Sequence, residues 1–424
     1  MRKISVFLCF LFFIHAVSAQ LEEARRITKQ LCSKQLHGRG YVNKGDSIAA
    51  RFLENEFSQL GLNYLKNHDS YFQSFTHNVV TFPGEMKVMM NQNQLTPGID
   101  FMVDPNSGSS NETWKYIKLT KEDLFSEDIL RRYISSITKL QNNINSCIID
   151  IRNLTGDSLK KIHRDFLPGL AQQLHVMVIT DEKFTFSVGN EPYSYSVLFI
   201  KSEKFMENAV VSTHIQSRFK ENYLSSNVVG MVPAIKKTKK TIVLTAHYDH
   251  LGKMGNETYF PGANDNASGV AMLLELARYY AKHPTKYNIV FIAFAGEEAG
   301  LIGSSYFVQY PWIELENIHF LVNVDIMGSG EEGITVVNAT KHPTQFQQLV
   351  DLNAKENYVP LVKSRGPAAN SDHYWFSERG VPSFFIYTMG PNKNYHDVLD
   401  TYENLSFSKF IPISELLKKF INGL

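Results

Sequence analysis

In the second half of the chain, three apolar runs each stop at a residue able to hold a metal ion. Residues 241–246 lead into His247-Tyr248-Asp249-His250, residues 288–294 into Ala295-Gly296-Glu297-Glu298-Ala299, and residues 319–324, which include Asn323, into Asp325. A fourth cluster, Gly262-Ala263-Asn264-Asp265-Asn266-Ala267-Ser268-Gly269, stands just before an amphipathic stretch. Each piece alone has an ordinary explanation: Asp265 or Ser268 as a helix cap, Glu297-Glu298 as an exposed acidic turn, His247 as a buried imidazole bonded to backbone. Asp325 alone would simply end a strand. Together they gather one histidine and several carboxylates at one sheet edge, and such a cluster repels itself unless cations neutralise it. Nitrogen and carboxylate donors without cysteine suit zinc in a catalytic site, with cobalt or manganese as substitutes. Two ions roughly 3.5–4 Å apart, bridged by one carboxylate, would activate a water and polarise a carbonyl. Of two adjacent glutamates, one can bind metal while the other takes the proton from the water. The expected chemistry is hydrolysis.

The elements that must position these residues alternate between strand and helix. The three apolar runs fit strands buried on both faces of a mostly parallel sheet, and functional groups gather at the carboxyl ends of such strands. Residues 268–282 put Val270, Leu273, Leu274, Ala277 and Tyr280 on one helical face. Further helices are expected over 344–356 and 406–421, and within 21–62, where a His37-Gly38-Arg39-Gly40 turn separates two helical stretches and Gly61 is a stop. Residues 79–220 differ. Short runs at 86–90, 147–151 and 176–179 read as strands, and the polar stretch 106–113 reads as an exposed loop. The expected fold is α/β, a mostly parallel central sheet flanked by helices, with an inserted strand-rich domain. The expected division is a leader over 1–19, the first part of the main domain over 20–78, the insert over 79–220 and the core over 221–424.

Composition bounds the function classes. The chain has 424 residues, 43% of them hydrophobic, and its 43 basic and 42 acidic residues leave a net charge of +1. That balance gives no footprint for nucleic acid. Arg2 and Lys3, an apolar stretch from Ile4 to about Val17 and the small residues Ser18 and Ala19 have the form of a cleavable secretory signal, so the expected location is secreted or periplasmic. No later segment has the length and apolarity to span a bilayer. Cys32 and Cys147 remain after cleavage, and pairing or two free thiols are both open. Asn111, Asn153 and Asn266 stand in glycosylation sequons, and a glycan on Asn266 would obstruct the neighbouring Asp265.

Five motifs, in order and approximate spacing, resemble the M28 metallopeptidases: His247-Tyr-Asp-His-Leu-Gly252, Gly262-Ala-Asn-Asp-Asn-Ala-Ser-Gly269, Ala295-Gly-Glu-Glu298, Asn323-Val-Asp325 and Tyr395-His-Asp-Val-Leu-Asp-Thr401. His37-Gly-Arg-Gly-Tyr41 and Gly45-Asp-Ser-Ile-Ala-Ala50 also look like the opening of that domain, and the middle segment resembles a protease-associated type of insertion. The resemblance implies a secreted aminopeptidase with two zinc ions and a peptide or protein N-terminus as substrate. It implies that Asp265 bridges the metals, that His247 and Asp325 complete one site and Glu298 and His396 the other, and that Glu297 is the general base. It further implies that Asp249 orients His247 through a hydrogen bond. His396 is singled out by the resemblance alone, because fourteen histidines compete. Ser371-Asp372-His373 matches the family's late segment and is expected to line the substrate pocket, while the nearby aromatics Tyr374, Trp375, Phe376, Phe384, Phe385 and Tyr387 read mainly as core. Two other readings share the fold. Glutaminyl cyclases use one zinc for acyl transfer and carry an aspartate where this chain has Ala295, and a degenerate binding ectodomain would be expected to have lost ligands.

Overall fold

The computed structural model describes residues 18–120, 123 and 144–424. Most of the expected leader, 1–17, lies outside the described residues. Among them no helix is long and apolar enough to cross a membrane.

Eight strands form the main sheet, in the spatial order Phe72–Thr81, Arg218–Val232, Asn288–Phe294, Thr241–His247, Ile318–Asp325, Ser383–Met389, Gly333–Val337, Val362–Ser364. The strand Thr241–His247 lies between Asn288–Phe294 and Ile318–Asp325 and is parallel to both, and Ile318–Asp325 is parallel to Ser383–Met389. The strand Thr241–His247 is buried at every position, as a strand covered on both faces must be. Val243, Val290, Ile292 and Leu321 face one layer, with Phe307 and Phe376; Leu244, Phe291 and Val322 face the other, with helices Gly269–Lys282 and Phe410–Gly423. Phe376 and Phe384 are core, as expected, and Phe385 is buried. The N-terminal helices cover residues 18–31 and Gly45–Gln59, and Gly61 sits at φ +73° after the second.

Phe72–Thr81 and Arg218–Val232 pair antiparallel in the main sheet, and the described residues between them hold two separate sheets. One has four antiparallel strands built around Met86–Met90 and Val211–Ile215; the other has five, with Tyr116–Leu119, Ser146–Asp150, His175–Thr180 and Val197–Lys201 parallel. The boundaries expected at 79 and 220 therefore fall inside two main-sheet strands that continue past them. The loop expected over 106–113 is also corrected: Ser110–Trp114 is a strand paired with Val211–Ile215, because Ser110 and Trp114 turn inward while the polar residues between them stay exposed. Cys32 and Cys147 are both free, and burial holds the Cys32 thiol up at about 12.

Candidate active site

Because the three central strands are parallel neighbours, their carboxyl ends open on one edge of the sheet. His247 and Asp325 are the last residues of their strands, and Glu297 and Glu298 follow Phe294 by a short turn through Gly296, which sits at φ +69°. Asp265 comes from the turn ahead of helix Gly269–Lys282, where it departs from helical geometry at φ −108°, ψ 96°. His396 comes from the irregular stretch beyond strand Ser383–Met389 and has φ +53°.

Asp265 is the centre of the arrangement. Its Oδ1 lies 3.3 Å from His247 Nε2 and its Oδ2 lies 3.1 Å from His396 Nε2. His247 Nε2 is also 3.4 Å from Asp325 Oδ2, and His396 Nε2 is 3.1 Å from Glu298 Oε2. The five residues expected as ligands thus come together from five separate chain segments. Ligand atoms of His247, Asp265 and Asp325 lie within 4.8 Å of one another, as do those of His247, Glu297 and Glu298.

The charge balance of this cluster favours a cation. Burial acts to lower the His247 pKa, yet Glu297, Asp325 and Asp265 around it hold it well above the usual histidine value. Burial opposes protonation of His396 as well, and Glu298 and Asp265 still raise it to about 11. Glu298, which burial alone would raise, is held down at about 2 by His396 and His250. Glu297 is pushed well above the carboxylate range, first by burial and then by Glu298, Asp372 and Asp325. Asp325 Oδ1 and His250 Nε2 are buried without a hydrogen-bond partner, so the site holds donor atoms beyond those its own contacts satisfy. Oxygen and imidazole donors converging in a carboxylate-rich, desolvated cluster fit divalent zinc.

The Asp249 expectation is corrected. His247 Nδ1 lies 3.2 Å from the backbone carbonyl of Asp249, while the carboxylate Oδ1 is 3.9 Å away. The carboxylate is occupied elsewhere: Asp249 Oδ2 accepts the Tyr41 hydroxyl at 3.0 Å, and the backbone N–H groups of Glu297 and Glu298 donate to Oδ1 and Oδ2 at 3.2 and 3.3 Å. The His247 tautomer is thus set by a carbonyl, and the Asp249 side chain fixes the turn that presents the two glutamates.

Three functional neighbours escaped sequence reasoning. His250 Nδ1 lies 2.7 Å from Glu298 Oε1, orienting the oxygen that does not face His396; its place in the His247 motif was the available signal. Asp400 accepts the backbone N–H groups of Asn264 and Asp265 at 2.9 and 3.0 Å, which ties the Tyr395–Thr401 motif to the Asp265 turn. Arg39 is fully buried and donates to the main-chain carbonyls of Tyr248, Leu31, Pro261 and Gly262 at 2.7–3.0 Å, with Asp265 O at 3.5 Å. Its planar fork pins both ends of the loop between His247 and Asp265. Gly40 makes this approach possible, since a Cβ there would lie 2.5 Å from Gly252 Cα.

Asn266 is fully buried, and its side chain bonds Val324 O, Gly269 N and Ile326 N, so this sequon is inaccessible in the folded chain, while Asn111 and Asn153 are exposed. Ser371 and Asp372 are buried rather than open to a cleft, with Asn323 Nδ2 donating to Ser371 Oγ at 2.7 Å. Burial lowers His373 to about 4, leaving a neutral ring tilted against Phe385.

Residues 227–421 match the model of peptidase family M28. Aminopeptidase YwaD of Bacillus subtilis is 30% identical over 205 residues, 46% of this chain and 44% of that protein. A probable zinc metalloprotease of Pyrenophora teres f. teres is 41% identical over 112 residues, 26% of this chain and 23% of that protein. The chain therefore spans less than half the length of these curated relatives. The structure of BSAP, a zinc aminopeptidase from Bacillus subtilis, superposes with a TM-score of 0.68 over 95% of this chain and 94% of that one at 18% identity, which establishes a shared fold. All the strand-end motifs and His396 lie within residues 227–421, the segment that matches the model of peptidase family M28.

Proposed function

We propose that this protein is a zinc-dependent aminopeptidase that hydrolyses the N-terminal bond of peptides. The observation that carries the reading is Asp265, whose two carboxylate oxygens face two different histidine–carboxylate sets, with Glu297 beside both. His247, Asp265 and Asp325 would hold one zinc ion, and Asp265, Glu298 and His396 a second. Bound zinc supplies Lewis acidity toward the peptide carbonyl and raises the acidity of a water. Glu297 takes the proton from that water and returns it to the leaving amine, a role that needs a carboxylate free of other bonds and aimed by its backbone. The Asp249 carboxylate provides the aim by accepting the Glu297 N–H. Tyr41 and Arg39 hold Asp249 and the 248–265 loop in turn, so the base and the His247 side share one support.

The names of the relatives support an N-terminal substrate. Residues 1–19 are read as a secretory leader, with the mature enzyme outside the cytoplasm, and the unit between the two outer main-sheet strands is read as an inserted domain. The test is a panel of short peptides, half with free and half with blocked N-termini, assayed with chelator and after zinc is restored. Cleavage of the free set only, lost on chelation and regained with zinc, is expected. Cleavage of blocked peptides at equal rate would overturn the aminopeptidase reading, and cyclisation of N-terminal glutamine without hydrolysis would replace it.

A further inference from the structure

His396 is the ligand with the least local support. The stretch from Gly390 to Thr401 that carries it has no helix or strand, and His396 itself has a left-handed backbone, which a non-glycine residue keeps only when its surroundings hold it there. Much of that hold comes from the inserted region. The Phe186 N–H donates to the His396 carbonyl at 2.8 Å. Lys183 Nζ lies 2.5 Å from Asp397 Oδ2, on a side chain that is 7% exposed, and also donates to the Lys393 carbonyl at 2.7 Å. The Phe186 ring stacks on Phe260 at 4.8 Å and 11°, anchoring the same segment to the loop that leads into Asp265. From another side Gly98 fits against Val398, where a Cβ would come within 2.8 Å of Cγ1.

We infer that the inserted region positions His396, with Lys183 as the positioning residue, so that metal retention on the His396 side of the site depends on the insert. The inference rests on the metal-site reading above. Lys183 touches no ligand atom. It crosses from the insert to the residues on both sides of His396, and through them sets where the imidazole stands relative to Asp265 and Glu298. Partners that orient a ligand from behind typically change metal affinity by about 10–100-fold when removed. Lys183 is half-exposed, so its replacement does not threaten the core.

The test uses the full chain loaded with zinc, transferred to a chromogenic chelator with the release followed in time. His396→Gln identifies which released ion belongs to the His396 side. Lys183→Ala is expected to release that same ion about tenfold faster and to leave the other unchanged, and Lys183→Arg is expected to restore the wild-type rate. Amide hydrogen exchange over 392–398 in chelator-treated protein should also quicken in Lys183→Ala alone. Unchanged release and unchanged exchange in Lys183→Ala, with normal zinc uptake, would overturn this inference and leave the aminopeptidase reading standing. A wild-type chain that takes up no zinc would overturn both.

Discussion

His247 and His396 face the same aspartate from opposite sides, but the chain holds them by different means. His247 ends a central strand with parallel neighbours on both sides, its ring meets a carbonyl two residues on, and Arg39 pins the loop that follows. His396 sits on an irregular loop, stacked on Tyr395 at 3.9 Å and braced by residues from a region more than two hundred positions earlier. The first side is built from backbone ladder and core, the second from a few contacts between units. A site assembled this way has one stiff half and one that a distant change can loosen.

Three substitutions and one pH series break or sharpen that contrast. Glu297→Gln removes the proposed base without removing a proposed ligand from either half. Turnover should fall about 10³-fold, within the span expected of a general base, while zinc uptake is unchanged; residual activity near wild type would move the proposed base to another group. Arg39→Ala strikes the stiff half. It takes a donor from the buried Tyr248, Leu31 and Gly262 carbonyls and the half-buried Pro261 carbonyl, of which Gly262 O keeps the Ala267 N–H; at roughly 1 kcal/mol for each of the other three, unfolding stability should drop by about 3 kcal/mol, read by chemical denaturation. A loss confined to the His396-side zinc, with stability unchanged, would contradict the division drawn here. Asp249→Asn keeps the shape but weakens the acceptor of the Glu297 and Glu298 amides. It should lower kcat about 10–100-fold with KM little altered, whereas a loss of zinc from the His247 side would restore the expectation that the carboxylate orients His247.

The smallest effect is in pH dependence, and it compares protonation in the two halves. Burial raises Asp249, Asp372 and Asp400 to about 7. Each binds a proton in the folded chain but not in the unfolded one between about pH 4 and pH 7, so stability declines as pH rises through that window. His247 and His396 act in the same sense: their contribution is complete below about pH 6.5 and is lost as pH rises toward the folded value, about 11 for His396. Glu298, held down at about 2, contributes stability above about pH 4.5 that is lost as pH falls toward 2. Chelator-treated protein should therefore melt highest at about pH 4 and at a clearly lower temperature at about pH 8. Zinc should reverse the slope, because metal uptake displaces protons from its ligands. Parallel melting curves with and without zinc would show that the cluster is not where the metal binds.

The alternation of apolar runs with amphipathic stretches was enough to read an α/β sheet and to place His247, Glu297, Glu298 and Asp325 at strand ends, because burial on both faces writes an unbroken apolar run and a parallel strand presents its function where that run stops. Asp265 was legible as the acidic residue ahead of a helix. His396 was not legible from physics: a proposed ligand on a loop leaves no periodic trace, and only the resemblance of its motif singled it out. The change of pattern over 79–220 was visible, but where the separate sheets begin and end was not, since Phe72–Thr81 and Arg218–Val232 run on past the expected boundaries. What Arg39 and Asp400 hold could not be read, and Asp249 was read as a partner of His247 when its carboxylate bonds Tyr41 and the Glu297 and Glu298 amides. Each acts on main-chain atoms or on a residue remote in sequence, and neither kind of partner is encoded by residue type or spacing. The sequence by itself determined which groups could bind metal and which sheet edge would collect them. Tertiary structure decided how they are held, because hydrogen bonds to backbone and contacts between units exist only after the chain has folded around them.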